Sequence, residues 1–344
     1  MDDDDSSSDE LHITSDNNPI TMTRVILQSE HQHPGATGDF TLILSSIQLA
    51  CKAVGQAVQK AGICGTLGPG CNYRAELNQT ANDAFLSALK FCKKIAAMVS
   101  EESKEIYITN ASEGKCKFHA DVIAFDPLDG GESLPVNQPC GSLFGLWRRR
   151  ESHTTGSAAD FLQAGSSMVA SGYCCYGSAI MMVLALGDGY VDGFTLDPSL
   201  GEFILTHPNM MVPTKGRFYS INEGNESLWD AATKAFVLSR KFPSRGYPCD
   251  LHYVGSAVAD VHRIMIEGGV FLYPGDVNRP QGKLGALYKV FPLSFIVEQA
   301  GGRAISRTNR ALDYTPRSIH EPMAVVMGSS SDVSEAEDCF RRLG

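Results

Sequence analysis

The sequence lacks the long basic runs that are typical of nucleic-acid-binding chains. Its 344 residues include 29 Lys and Arg against 39 Asp and Glu, a formal net charge of −10. The cationic cluster at 148–150 (Arg-Arg-Arg) fits either a solvated loop end or an anion site, and the sequence leaves both open. A nucleic-acid partner is therefore not expected.

Paired cysteine motifs are also missing. The ten cysteines include no Cys-x-x-Cys pair, and most of them lie in apolar or helical surroundings. This pattern predicts neither a zinc site nor a disulfide framework. Reduced thiols, as in a cytoplasmic protein, are the natural expectation.

Long apolar runs are scarce. No stretch is expected to reach membrane-spanning length, and the N-terminus lacks the apolar core of a signal peptide. Residues 1–18 instead carry four successive aspartates and three serines, a composition typical of an acidic disordered tail. The rest is long enough to bury a large core, which we expect in two lobes, 19–210 and 211–344.

The most informative motif is acidic. It reads Phe125-Asp126-Pro127-Leu128-Asp129-Gly130 and follows an apolar run at 121–125. Because proline cannot extend a central strand, both aspartates are predicted on a turn just beyond a strand end. Alone, such a turn is usually a simple capping turn. A second acidic pair, Glu101-Glu102, favours a site for Mg²⁺, which prefers oxygen ligands.

Hydrophobic spacing predicts alternating helices and strands. In the first lobe, helices are expected around 43–58, 85–99 and 178–186, and strands at 106–108, 121–125, 142–147, 190–196 and 202–205. In the second, strands are expected at 217–221, 270–274 and 322–327, and helices at 227–238, 257–267, 284–299 and from Ser334, which Asp332 and Glu335 would cap. The pattern is typical of an α/β protein whose second lobe has a largely parallel sheet.

Several further segments occur in the order found in one known family. They are 195–198 (Thr-Leu-Asp-Pro), 201–205, 219–224, 253–263, 269–274 and 282–284 (Gly-Lys-Leu). Together with 99–102 and 125–130, they make the chain resemble the class I fructose-1,6-bisphosphatase family from about Thr21 to the C-terminus.

The resemblance implies a layered αβαβα sandwich of the sugar-phosphatase type, with the active site between the lobes. It further implies cytoplasmic, metal-dependent hydrolysis of the 1-phosphate of fructose 1,6-bisphosphate in gluconeogenesis, with Mg²⁺ or Mn²⁺ as cofactor, and a homotetramer. Glu101, Asp126, the Leu128 carbonyl and Asp129 would hold the metals. Glu102 would orient and deprotonate the attacking water.

The resemblance also implies a sugar-phosphate site. Its substrate-binding residues would be Gly130, Asn222, Tyr253, Tyr273 and Lys283. Tyr273 lies in an apolar run and could equally be a core residue. Lys283, at a predicted helix start, would oppose the helix dipole unless an anion lies nearby, and this favours a binding role.

The chain departs from the family pattern where the catalytic groups are expected. Asn78 replaces an aspartate that helps to activate water, and Asp83 is a poorly placed substitute. Gly131, Glu132 and Ser133 replace two serines and an asparagine, and the Glu132 carboxylate would repel the transferring phosphate.

Three departures lie in the second lobe. His252 replaces an arginine that reaches a neighbouring subunit's site, Gly285 an arginine near the transferring phosphate, and Lys289 a glutamate that ligates the second metal. Lys289 can either pair with Glu132 or take over part of the second cation's role. Both options predict weak second-metal binding and a turnover about 10²-fold or more below the family norm.

The nucleotide-inhibitor site of the family is also incomplete. Gly38, Thr41 and Arg148 match it, but Ala120 and Asp121 replace a lysine and a tyrosine that bind AMP. Inhibition by AMP is not expected. The cysteine positions do not match the redox loop of chloroplast members, so no thiol switch is expected.

The sequence leaves three functions open. The first is an active fructose-1,6-bisphosphatase with altered metal use. The second is a catalytically impaired paralogue that binds sugar phosphates or regulates an active subunit. The third is a sedoheptulose-1,7-bisphosphatase.

Overall fold

The computed structural model describes residues 19–32, 38–61, 73–109, 121–149 and 156–344. Its helices are α1 (Met22–Gln32), α2 (Asp39–Lys60), α3 (Tyr73–Cys92), α4 (Ala231–Lys241), α5 (Ala257–Glu267), α6 (Phe291–Gln299) and α7 (Ser330–Leu343). The predicted tail at 1–18 lies outside the described residues, as do Cys64, Cys71, Cys116, Ala120 and Arg150.

The first sheet has eight strands. They are β1 (Ile95–Ser100), β2 (Tyr107–Ile108), β3 (Asp121–Asp129), β4 (Cys140–Arg148), β5 (Met168–Tyr176), β6 (Ile180–Ala185), β7 (Val191–Asp197) and β8 (Glu202–His207). Their spatial order is β2-β1-β3-β4-β5-β6-β7-β8. Among the described strands of this sheet, only β1 and β3 pair in parallel. From β3 onwards, each strand pairs antiparallel with the next strand in the chain.

The second sheet has six strands, in the order β10-β9-β11-β16-β13-β14. The strands of the second half of the chain are β9 (Phe218–Ser220), β10 (Asp250–Leu251), β11 (Val270–Tyr273), β12 (Leu284–Gly285), β13 (Arg303–Ser306), β14 (Asn309–Arg310), β15 (Pro322–Met323) and β16 (Val325–Gly328). Strands β12 and β15 form a separate ribbon. The prediction of a largely parallel sheet is wrong, because β16 runs antiparallel to both of its neighbours and β13–β14 is a hairpin.

Three hydrophobic cores divide the molecule into layers. One core joins α1, α2 and α3 to one face of the first sheet. The largest core joins the other face of that sheet, through α5 and α6, to the second sheet. The third lies between the outer face of the second sheet and helices α4 and α7. The layered αβαβα sandwich is therefore confirmed, while the lobe boundaries 19–210 and 211–344 stay a prediction.

Helix α2 corrects one expectation. Its 22 residues are long and apolar enough to cross a membrane by length and composition, so a segment of spanning length does exist. Ile43, Ile47 and Val54 on this helix are buried in the core against the first sheet. The helix thus packs as a core helix of the outer layer, with Leu42 and Leu49 left exposed.

Two segments that were predicted as helices contain strands in the structure. The helix predicted at 178–186 is instead the strand β6 over Ile180–Ala185, because a short continuous apolar run has no period that separates the two structures. The helix predicted over 85–99 ends at Cys92, where Lys93 adopts a left-handed φ of 55°, and Ile95 and Val99 belong to β1. Strand β5 was not predicted at all.

The last helix also begins earlier than predicted. Its N-cap is Ser329, and Asp332 lies inside its first turn, so the predicted capping box is wrong. The buried Asp332 carboxylate instead pairs with Arg240 of α4 at 3.0 Å, while Glu335 pairs with Arg240 and Lys215. These ion pairs join α4 to α7 on the outside of the second sheet.

Candidate functional site

The acidic motif lies at the end of β3 and is buried. Asp126 is 1% exposed and Asp129 4% exposed. The predicted strand end at Phe125 is wrong, since β3 continues through Pro127 to Asp129. Proline is tolerated in this central strand because the pairing of β3 with β4 shifts register between Asp126 and Asp129. That irregularity turns both carboxylates toward the same place.

Gly130 is required by the backbone at this point. It has a left-handed φ of +77°, and a β-carbon there would lie 2.4 Å from the β-carbon of Ser256. Ser256 caps α5 and donates a hydrogen bond of 2.7 Å from its hydroxyl to Asp129 Oδ2. The glycine therefore lets the end of β3 meet the start of α5, and this contact fixes the orientation of Asp129.

Lys289 lies at the centre of the acidic cluster. Its Nζ is 2.9 Å from Asp129 Oδ1 and 3.1 Å from both Asp126 Oδ2 and Glu101 Oε2. The side chain is 12% exposed. Of the two options that the sequence left open, pairing with Glu132 is wrong, because Glu132 pairs with Arg74 at 2.7 Å.

The charges of the cluster depend on one another. Burial alone would lower the pKa of Lys289, but the neighbouring carboxylates hold it well above its ordinary value. Burial alone would raise the pKa of Asp129, but the Lys289 ammonium and the hydrogen bonds from Ser256 and Val258 together hold it below its ordinary value. Burial and the charge of Glu101 raise the pKa of Asp126 well above its usual range.

Glu102 lies beside the acidic cluster and contacts α3. Its Oε1 accepts a hydrogen bond of 2.8 Å from the Asn78 side-chain amide. Desolvation and the adjacent Glu101 raise the pKa of Glu102, and the Asn78 hydrogen bond acts in the opposite direction. Asp83 is exposed and bonded to Gln79, so it does not substitute for the missing aspartate. Asn78 can orient Glu102, but it cannot take a proton.

The acidic cluster, as folded, does not fit a divalent cation. Asp129 Oδ2 accepts from Ser256 and from the Val258 amide, and Asp126 Oδ1 accepts from the Leu128 amide. The remaining oxygens of both aspartates face the Lys289 ammonium. Within the part of the chain that the structure describes, no three His, Cys, Asp or Glu side chains are arranged to hold a metal ion. The carboxylates are suitable ligands, but the ammonium lies between them.

A small cavity in the second lobe contains most of the predicted phosphate-binding residues. Its volume is about 60 Å³, and its lining includes Asn222, Tyr273, Arg279 and Lys283. Lys283 precedes the short strand β12 rather than a helix, so the helix-dipole argument for its role is wrong. Its position in the lining of the cavity supports its predicted role in phosphate binding instead. The lining also includes the Asp276 carboxylate, but the two cations outnumber it, and with the amide they suit an anion.

Arg279 was not predicted from the sequence as a residue of the phosphate-binding cavity. It belongs to a turn in which its backbone amide donates 2.8 Å to Asp276 Oδ1. A cation four residues before Lys283 was the signal that could have identified it. Tyr253 does not line the cavity; its pKa is raised to about 12 by burial and then by Tyr273.

The other departures from the family pattern are accommodated locally. His252 Nδ1 lies 3.7 Å from the buried Asp260, whose pKa burial raises to about 7. Gly285 has no room for a side chain, because a β-carbon there would lie 2.1 Å from the Tyr288 ring. The Ser133 hydroxyl donates 3.4 Å to the Val254 carbonyl, and a β-carbon at Gly131 would lie 3.2 Å from Asn78 Oδ1.

The residues that match the nucleotide site of the family contact other parts of this chain. Gly38 caps α2 with a φ of 72°, and the Thr41 hydroxyl donates 2.6 Å to Glu30. Arg148 lies opposite Asp121 across β3 and β4. Burial raises the pKa of Asp121 to about 6 although Arg148 opposes the shift. The neighbouring Arg149 is buried 3.6 Å from Asp160, so it belongs to neither a solvated loop end nor an exposed anion site.

We expect AMP to have little or no effect on this protein. The phosphate of AMP would meet the Asp121 carboxylate in a place where a cation is needed, and like charges weaken binding. Titration of AMP against activity, or against melting temperature in parallel, checks this. A response at micromolar AMP would contradict it.

Comparisons with known proteins find similar sequences over almost the whole chain. Residues 20–208 match the family described as "Fructose-1-6-bisphosphatase, N-terminal domain", and residues 212–341 match the corresponding C-terminal domain. The cytosolic fructose-1,6-bisphosphatase of Solanum tuberosum is 45% identical over 329 residues, 93% of this chain and 95% of the relative. That of Arabidopsis thaliana is 46% identical over 93% of this chain and 94% of the relative.

A solved structure shows the same similarity in three dimensions. The holo form of Leishmania major fructose-1,6-bisphosphatase superposes with a TM-score of 0.86 at 37% identity. The match covers 94% of this chain and 99% of the other.

Proposed function

The chain belongs to the fructose-1,6-bisphosphatase family, and we propose from this that it is a cytosolic phosphoric monoester hydrolase that removes the 1-phosphate of fructose 1,6-bisphosphate in gluconeogenesis. The observation that carries the proposal is the convergence of Glu101, Asp126 and Asp129 within a chain that matches both domains of the family. The same residues were predicted from the sequence to form the reaction site.

The described residues support distinct roles within this proposal. Glu102, oriented by Asn78, would take the proton from the attacking water. Asn222, Tyr273 and Lys283 would hold the distal phosphate, with Arg279 as an added cation. Tyr253 would complete the residues around the distal phosphate, although it does not line the cavity. Gly130 would contribute to substrate binding through its backbone, since Ser256 fills the space that a side chain would need.

Enzymes of this family depend on metal ions. For this chain we propose Mg²⁺ or Mn²⁺, because the available ligands are carboxylate and carbonyl oxygens. Glu101, Asp126, the Leu128 carbonyl and Asp129 would be the ligands once Lys289 is displaced.

We also propose that the protein is a homo-oligomer, as a tetramer of the family type. Leu42 and Leu49 support this proposal, because they are 49% and 62% exposed on the outer helix α2. Large exposed apolar side chains on one helix are typical of an interface.

A second function is favoured by a specific observation. Lys289 fills the centre of the acidic cluster, and Asn78 offers an amide where a carboxylate is expected. Both features favour a catalytically impaired paralogue that binds sugar phosphates or regulates an active subunit. Function depends on the site rather than on the fold, so the two proposals need a direct test.

The test is phosphate release from fructose 1,6-bisphosphate and from sedoheptulose 1,7-bisphosphate over a series of Mg²⁺ and Mn²⁺ concentrations. Calorimetric titration with the same sugars measures binding independently. Turnover of fructose 1,6-bisphosphate supports the proposed fructose-1,6-bisphosphatase activity. Faster turnover of sedoheptulose 1,7-bisphosphate would instead assign the chain as a sedoheptulose-1,7-bisphosphatase. Binding without phosphate release supports the impaired paralogue.

A further inference from the structure

We propose that the Lys289 ammonium is the resident cation of the acidic cluster, so that the folded protein keeps Glu101, Asp126 and Asp129 together without a bound divalent ion. The proposal rests on the proposed function in one respect, namely that these carboxylates are the cation ligands of the site. Three converging carboxylates repel one another unless a positive charge lies among them. The described structure places that charge on a side chain of the protein itself.

The distances agree with an ammonium rather than with a metal ion. The three oxygens lie 2.9 to 3.1 Å from Lys289 Nζ, the range of charge-assisted contacts to nitrogen. Mg²⁺ requires six oxygens at about 2.0–2.1 Å in octahedral positions. A divalent ion could therefore enter only if the ammonium left and the carboxylates moved inward.

The second oxygen of each buried aspartate has its own partner. Asp129 Oδ2 accepts from Ser256 and the Val258 amide, and Asp126 Oδ1 accepts from the Leu128 amide at 3.1 Å. Asp126 Oδ2 is buried, and the Lys289 ammonium lies 3.1 Å from it. These contacts orient one oxygen of each aspartate toward Lys289.

The backbone of Lys289 is held as firmly as its ammonium. The residue lies in a π-helical turn, Ala286–Val290, whose other members are buried. On the preceding side, Gly285 packs directly against the Tyr288 ring. A cation that displaced the ammonium would have to do so by rotation of the lysine side chain, since the turn itself has no room to shift.

The experiment measures cation binding rather than turnover. Binding of Mn²⁺ is followed by the loss of the free-ion signal in electron paramagnetic resonance, and binding of Mg²⁺ by the shift in melting temperature. The proteins are the wild type, Lys289→Met, Lys289→Glu and the control Lys215→Met, whose lysine is exposed and pairs with Glu335 on α7. Methionine keeps the length of the side chain without the charge, and glutamate adds a ligand.

We expect Lys289→Glu to bind Mn²⁺ at least about 10²-fold more tightly than the wild type, because it removes one repelling charge and adds an attracting one. Lys289→Met should gain about tenfold, and Lys215→Met should behave as the wild type. At one Mg²⁺ concentration, the melting temperature of the two Lys289 variants should rise by more than that of the wild type. A wild-type affinity within threefold of that of Lys289→Glu would overturn the proposal.

A second variant keeps the proposal testable if the Lys289 variants do not fold. Glu101→Gln alters the more exposed member of the cluster, which is 31% exposed. The proposal requires Mn²⁺ binding by Glu101→Gln and by the wild type to be equally weak, and a clear loss in the variant would refute it. Neither readout depends on phosphate release, so an absence of hydrolysis would count against the proposed function alone.

Discussion

Asp129→Asn is expected to lower phosphate release by about 10³-fold or more while the protein stays folded. Asp129 connects Lys289 to the start of α5. One of its oxygens contacts Lys289, and the other accepts hydrogen bonds from the Ser256 hydroxyl and the Val258 amide. Asparagine can keep the acceptor toward α5, but it removes the charge from the cluster. Steady-state phosphate release, with circular dichroism to confirm folding, measures the effect.

Asp129→Ala should lose stability as well as activity. It would leave the Ser256 hydroxyl, the Val258 amide and the Lys289 ammonium without their shared partner in a buried place. Breaking a buried charge pair in this way typically costs about 3–5 kcal/mol. Asp192→Asn is the matched control, since Asp192 is a partly buried aspartate of β7 bonded to the Asn209 amide, away from the site. Near-native turnover of Asp129→Asn would mean that the reaction occurs elsewhere.

Glu102→Gln is expected to reduce kcat by about 10²- to 10⁴-fold, the usual contribution of a general base, with little change in KM. Glutamine keeps the shape and an oxygen that can accept from Asn78, but it cannot hold the proton of the attacking water. Asn78, the hydrogen-bond partner of Glu102, is an amide and cannot take over this role.

The control for this prediction is Glu105→Gln in the same loop. Glu105 is exposed and has no part in the proposed site. It should retain wild-type kcat and KM. Equal kinetics for Glu102→Gln and Glu105→Gln would exclude Glu102 as the base, whereas a rise in KM alone would assign it to substrate binding.

Much of the architecture follows from local patterns. Helices α2 and α5 and the strands β4, β7 and β11 were predicted close to their observed positions, because the helices repeat apolar residues at helical spacing and the strands are short runs rich in apolar residues. The acidic residues are also identifiable from the chain alone, because their spacing and residue types are unusual for ordinary turns. The sequence by itself therefore determined the family and the layered fold, and the members of the site stay a prediction from it.

Errors arose where a segment's structure depends on its neighbours in space. Residues 180–185 are a strand because β5 and β7 lie on either side, and nothing in the run itself separates strand from helix. Pro127 stays within β3 because a shift in register against β4 removes the need for a regular hydrogen-bond ladder. Long-range pairing outweighed local propensity in both places.

The partner of Lys289 was decided by tertiary structure alone. The sequence allowed Lys289 to pair with Glu132 or with the metal-site carboxylates, and these lie at similar distances from Lys289 along the chain. The fold brings the π-helical turn of Lys289 against the end of β3, and it places Arg74 of α3 beside Glu132. Each charge then pairs with the opposite charge that packing brings within about 3 Å, since Coulomb attraction depends on distance in space and not on separation in sequence.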